Sequence, residues 1–255
     1  MAPLKFCANI SWLFAELPEL TQRMRDAARA GFRAVEAAWI YSSDLKELKT
    51  VKDETGLEFA LINTPPGKTC LNGTTEAFRD IKLHHAKQIH LMAGRVPAGA
   101  DRCAVAMEME DTFVQNLKHA AGVLSKEGIL GLIEPINTRI TDPRYFLDSP
   151  HQAAVILQRV AHPSIRMQMD IYHWQIMDGN LTQNIRKYLP MTGHIQIAQV
   201  PDRHEPDSDG ELSYTYLFKL LEELDYQDYI GCEYKPQRST EAGLDWLRRY
   251  WSSHN

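Results

Sequence analysis

Short apolar runs alternate along this chain with longer amphipathic stretches, and Gly, Pro, Asn, Asp or Ser marks most of the junctions. LKFCANISW (4–12) reads as a first strand. ELTQRMRDAARAGF follows as a helix, with Leu20, Met24 and Ala28 at helical spacing and Gly31 closing it. AVEAAW (34–39) is a second strand, followed by a helix over 43–54 that Gly56 ends. LEFALINTPPG (57–67) is a third strand, stopped by a proline pair that cannot continue a ladder, and QIHLMAG (88–94) is a fourth. A long helix over about 104–126 leads into GILGLIEPIN, the fifth strand. A helix over 149–160, opened by Ser149 and Pro150, leads to the sixth at 165–171. LTQNIRKYL, GHIQIAQV, ELSYTYLFKLLEEL and DYIGCEY then read as helix, strand, helix and strand, and TEAGLDWLRRYW closes the chain.

Strand and helix alternate through eight such units without internal repeats, low complexity or a linker. That pattern predicts a single (β/α)8 TIM barrel over residues 1–255. A doubly wound open sheet is the alternative, but no GxGxxG or GxxxxGK[ST] phosphate loop is present. The third unit is the weak one. Between strands three and four the chain offers only a short helix, 74–87, with a poor apolar face.

Composition narrows the class. A 44% hydrophobic content supports a large core, and a net charge of −5 gives no basic footprint for nucleic acid or an anionic membrane. No apolar stretch reaches the ~20 residues of a membrane span, and the N-terminus does not read as a secretory signal. Cys7, Cys70, Cys103 and Cys232 are scattered without CxxC spacing, so reduced thiols and a cytoplasmic location are expected.

Four of the strand-like runs deliver an oxygen-bearing side chain at or near their C-terminal ends: Glu134, Asp170, Gln196 and Glu233. Their separations of 36, 26 and 37 positions each approximate one strand-plus-helix unit. In a parallel barrel such residues meet at one mouth, where two glutamates, an aspartate and a glutamine make a hard oxygen cup for a divalent cation. Taken singly, each is an ordinary strand-end polar residue. Asp170 reads equally as a cap, although Asp178 is better placed to cap the helix that follows. His173 leans over the same mouth from the start of a loop, His194 reads as structural, and Arg203 is placed to grip an anionic group. Arg95, Arg139 and Lys235 are further rim cations, and Trp12 and Trp39 are candidate pocket walls.

ISWLF, HLMAGRVP, LIEPINTRITDPRYFLDSP, MDIYHWQIMDGNL, GHIQIAQVPDRHEP and GCEYKP together resemble the hydroxypyruvate isomerase family, within the xylose-isomerase-like barrels that also include ketose 3-epimerases. The likeness covers nearly the whole chain. It implies a metal site at Glu134, Asp170, Gln196 and Glu233, with Glu134 and Glu233 also serving as acid/base groups. It further implies substrate contacts from His173 and Arg203. Glutamine at position 196, where the epimerases carry histidine, favours Mg²⁺ or Mn²⁺ over Zn²⁺. The implied reaction interconverts hydroxypyruvate and tartronate semialdehyde by proton transfer through an enediolate. The implied partners are a small keto-acid and a second copy of the chain in a homodimer. The segment 68–88 is shorter than the family's third unit. Two other readings stay open: an isomerase or epimerase of another small ketose or keto-acid, and a metal-binding barrel with impaired turnover. Phosphodiester cleavage, as in DNA-repair barrels, would need a histidine-rich zinc cluster and a basic face.

Overall fold

Eight parallel strands close on themselves in chain order, each hydrogen-bonded to the next and the eighth to the first. They are β1 (Lys5–Asn9), β2 (Ala34–Ala37), β3 (Glu58–Asn63), β4 (Gln88–His90), β5 (Leu130–Ile133), β6 (Ile165–Asp170), β7 (Thr192–Ile197) and β8 (Tyr229–Cys232). This computed structural model describes residues 2–64 and 86–254. The helix expected over 74–87 therefore lies almost entirely outside the described residues.

The helices of the described residues are α1 (Leu20–Arg29), α2 (Leu45–Thr55), α3 (Arg102–Glu127), α4 (Pro150–Val160), α5 (Ile171–Met177), α6 (Leu181–Tyr188), α7 (Tyr214–Glu223) and α8 (Asp245–Ser252). Their ends follow local chemistry. Asp44, Asp101 and Ser149 accept backbone N–H groups at the starts of α2, α3 and α4. Gly56 and Gly128 take left-handed backbone where α2 and α3 stop.

The strands are shorter than their apolar runs. β1 ends at Asn9, whose carbonyl accepts from Trp12 (3.0 Å) and Leu13 (2.7 Å) and starts a turn. β5 ends before Glu134, where Pro135 cannot donate to a ladder. α5 is an element that the hydrophobic pattern did not announce. Asp170 ends β6 and caps α5 in the same step, accepting from Tyr172 N at 2.8 Å. The preference for Asp178 as the cap is thus corrected: α6 starts after Asn180 without a side-chain cap, and Asp178 accepts from Asn184 instead.

The main apolar core lies between strands and helices. Phe6 on β1, for example, meets Phe218, Trp246 and Tyr250 edge-on at 5.2–5.4 Å. Inside the barrel the filling is largely polar. Glu36 of β2 receives His194 and Gln196 of β7 from across the interior, and Gln88 of β4 donates to the Gly193 carbonyl at 2.8 Å. Cys7 and Cys232 are buried free thiols and Cys103 is an exposed one. Among the described residues no helix is long and apolar enough to cross a membrane.

Candidate active site

The C-terminal ends of β5 to β8 and the segments just beyond them bring Glu134, Asp170, His173, Arg203 and Glu233 together. Glu134, Asp170 and His173 each offer one potential ligand atom within 4.8 Å of the others, and all three are buried. Glu233 joins through Arg203, whose Nη2 contacts both the Glu233 carboxylate and Asp170 Oδ2, the latter at 3.1 Å. The guanidinium lies between the rings of Trp12 and Tyr172, 4.7 and 4.8 Å from their centroids. Lys235 N donates to the Arg203 carbonyl at 2.7 Å, tying the loops after β7 and β8 together.

Gln196 stands differently from the cup expected of it. Its Nε2 donates to Glu36 Oε1 (2.7 Å), and its Oε1 accepts from Gln168 Nε2 (2.6 Å). Glu36 is the centre of this deeper layer, receiving Asn9 Nδ2 (2.8 Å), His194 Nε2 (2.5 Å) and the Cys7 thiol (3.5 Å) as well. Asn9 Nδ2 also reaches Glu233 Oε1 at 3.0 Å, so the two layers are linked. Gly231 makes room for Glu36, since a Cβ there would come within 2.3 Å of its carboxylate.

His173 sits in the first turn of α5, not on a loop, because Asp170 starts that helix at once. Its Nε2 is 3.4 Å from Asp170 Oδ2 and 3.8 Å from Glu134 Oε1. Trp12 contributes a wall through Arg203. Trp39 does not share that contact; it is 45% exposed and packs against Tyr41. Arg95 pairs with Asp142 at 2.6 Å.

Two residues escaped the sequence reading. Glu36 lay in AVEAAW, where a charged residue inside an otherwise apolar strand was the available signal. His90 lay in QIHLMAG for the same reason. The His90 ring is 1% exposed, with Nδ1 3.2 Å from Glu134 Oε2 but out of hydrogen-bond alignment, and neither ring nitrogen has a partner among the described residues. A buried polar group without a partner points to a missing ligand or water.

Charge explains the titration behaviour. Glu36, Glu134, Asp170 and Glu233 share this interior with Arg203, the only buried Arg or Lys among the described residues. Burial, then repulsion from Glu233 and Asp170, pushes the Glu134 carboxyl well above its ordinary range. Burial likewise raises Glu233, to about 8, against the opposing pull of Arg203. Burial lowers His90 to about 3 and His173 to about 4, so both rings are neutral near pH 7. This surplus of buried carboxylate, built from hard oxygen donors, fits a divalent cation of the Mg²⁺ or Mn²⁺ kind.

Residues 24–250 match the model of the xylose isomerase-like TIM barrel family. The chain is 73% identical to a Danio rerio protein provisionally named a hydroxypyruvate isomerase, covering 100% of this chain and 98% of that one. That alignment runs over 271 positions against 255 residues here, so the relative carries residues with no counterpart in this chain. Hydroxypyruvate isomerase of Escherichia coli is 41% identical (97% and 99% covered), and 2-oxo-tetronate isomerase of Cupriavidus necator is 40% identical (96% and 98% covered). Among solved structures, that of an AP endonuclease, family 2, from Brucella melitensis superposes with a TM-score of 0.88 at 38% identity, over 96% of this chain and 98% of that one.

Proposed function

The chain belongs to the hydroxypyruvate isomerase family of xylose isomerase-like TIM barrels, and on that premise we propose that it interconverts hydroxypyruvate and tartronate semialdehyde with the help of Mg²⁺ or Mn²⁺. Its relatives make it an isomerase; the substrate and the cation are what the chemistry of the site supports. The observation that carries the reading is the convergence of Glu134, Asp170 and Glu233 at one mouth of the barrel, with Arg203 Nη2 contacting both Asp170 and Glu233. A 1,2-proton transfer requires a carboxylate that can take the proton from one carbon and a carboxyl that can return one to the next.

The proposed reaction moves one proton between adjacent carbons. A cation held by Glu134, Asp170 and Glu233, with Gln196 joining through its carbonyl oxygen once that atom is released from Gln168, would polarise the C2 ketone and stabilise the charge of the enediolate. One of Glu134 and Glu233 takes the proton from C3, a glutamate returns a proton to C2, and the proton of the C3 hydroxyl passes to the C2 oxygen, leaving an aldehyde at C3 and a hydroxyl at C2. Arg203 supplies a planar donor fork for the substrate carboxylate, and the flanking rings of Trp12 and Tyr172 hold that fork in place. His173, neutral and buried, is placed to hydrogen-bond a substrate oxygen.

The test is hydroxypyruvate in D₂O with Mg²⁺ or Mn²⁺, followed by NMR. Deuterium entry at C3 with formation of tartronate semialdehyde, both abolished by chelator, is the expected result. Exchange without that product would shift the substrate to another keto-acid, such as the 2-oxo-tetronate named for the Cupriavidus relative. Turnover undiminished after exhaustive chelation would remove the cation. Phosphodiester cleavage finds no support in the site: the potential metal clusters among the described residues contain one histidine each.

A further inference from the structure

We propose that Asn137 is a positioning residue that locks the His173 imidazole in the tautomer with its hydrogen on Nε2, so that His173 enters the site as a hydrogen-bond donor and not as a metal ligand. The argument starts from the backbone just after β5. Asn137 is fully buried. Its Oδ1 accepts from Ile140 N (2.9 Å) and Thr141 N (3.0 Å). A backbone N–H cannot donate to an amide NH₂, so these two contacts settle which end of the side chain is oxygen. The NH₂ end then faces Thr141 Oγ1 at 2.9 Å and His173 Nδ1 at 2.7 Å.

An amide nitrogen carries two hydrogens and no acceptor capacity. With Thr141 and His173 as its two neighbours, Asn137 donates one hydrogen to each. His173 Nδ1 must therefore present its lone pair, and the ring's hydrogen resides on Nε2. The Nε2 hydrogen faces Asp170 Oδ2 (3.4 Å) and Glu134 Oε1 (3.8 Å). Both distances exceed a normal N–H···O bond, so the donor remains available to a substrate oxygen lying between those carboxylates. A metal ion at this nitrogen would have to displace the hydrogen that Asn137 places there. The chain thus assigns the cation to oxygens and reserves the imidazole for the substrate.

Asparagine is required at position 137, and aspartate would reverse the device. Aspartate could still accept from Ile140 N and Thr141 N, preserving the turn. Its second oxygen would then face Nδ1 as an acceptor and draw a hydrogen onto that atom.

The experiment is long-range ¹H–¹⁵N NMR of the Mg²⁺-supplemented protein, which distinguishes a hydrogen-bearing ring nitrogen from a bare one. In the wild type His173 should show a bare Nδ1 and a protonated Nε2, and Asn137→Asp should place a hydrogen on Nδ1. Asn137→Asp should also lower kcat on hydroxypyruvate by about 10²-fold, with KM moving less. In a His173→Gln background, where the side chain donates without a tautomer, the same change should have little further effect on kcat. A hydrogen on Nδ1 in the wild type would overturn the lock whatever the turnover. Equal losses in both backgrounds would overturn its link to His173. The catalytic consequence rests on the isomerase reaction proposed above, but the tautomer does not. A protein with Nε2–H and no exchange at hydroxypyruvate would therefore refute the reaction and support the lock.

Discussion

Glu36 and Glu134 are almost equally buried inside one barrel, at 0% and 4% exposure, yet their surroundings treat them in opposite ways. Four donors converge on Glu36: the Cys7 thiol, Asn9, His194 and Gln196. Burial pushes its carboxyl up, but His194 beside it and the hydrogen bonds together bring it below the ordinary value. Around Glu134, among the described residues, no donor is aligned to bond; the nearest nitrogens belong to His90 and His173, and the other nearby charges are mostly carboxylates. The lower glutamate is a settled charge that holds its neighbours in place. The upper one is left short of partners among the described residues, which suits the proton transfer and the cation proposed for it. Structural and chemical carboxylates in this barrel are told apart by their donors, not by their burial.

The sharpest way to break this contrast is to neutralise each glutamate. Glu233→Gln or Glu134→Gln should cost about 10²–10⁴-fold in kcat while leaving the fold intact. Steady-state kinetics with circular dichroism checks both halves, and near-normal turnover would remove the residue from the chemistry. Glu36→Gln should do the reverse of a surface change and destabilise the protein by about 3–5 kcal/mol, because the amide cannot accept from all four donors. Chemical denaturation reads this, and a loss under about 1 kcal/mol would mean the network is replaceable. Gly231→Ala, which crowds the same carboxylate, should cost about 1–3 kcal/mol.

The smallest effect, per pH unit, is the titration of the metal-free protein. Glu36, lowered on folding, contributes stability above its ordinary value near 4.5 and loses it as pH falls through its folded pKa. His90 and His173, lowered to about 3 and 4 from 6.5, make stability rise with pH up to about 6.5. Glu233 acts oppositely: raised to about 8, it stabilises most below 4.5, and that share is lost as pH climbs through 8. The windows overlap below 6.5, so the Glu233 effect is read between 6.5 and 8, where Glu134, raised in the same direction, adds to it. There stability in the presence of chelator should fall, by at most about 1.4 kcal/mol per pH unit for this one proton. Glu233→Gln should reduce that slope without abolishing it, since Glu134 remains raised by burial and by Asp170. A slope unchanged in the variant would show that Glu233 is already ionised at pH 6.5.

The barrel was legible because its cause is local. Periods of two and 3.6 residues, with Gly56 and Gly128 stopping helices and Ser149 starting one, recur without a long-range decision. The strand ends were less so. β7 stops at Ile197 although GHIQIAQV continues, since a parallel strand lasts only while its neighbours run beside it. α5 went unseen because Asp170, the residue that starts it, also finishes a strand, and IYHWQIM is short and mostly buried, with no polar face to betray a helix.

Among the site residues, Glu134, Asp170 and Glu233 could be named from sequence because their spacing matches the strand-plus-helix repeat and their types suit a cation. Glu36 and His90 could not, since a charge inside an apolar run announces burial but not its partners. Which amide end of Gln196 faces Glu36, which nitrogen of His173 carries the hydrogen, and whether Arg203 meets carboxylates or solvent are relations across the barrel. Sequence alone determined the alternation of elements and the kinds of side chain at the strand ends, because both depend on the nearest neighbours in the chain. Only the closed barrel decided which of those side chains keep their charge, because a carboxylate's proton answers to the donors and charges within a few ångströms, and here those come from strands far apart in sequence.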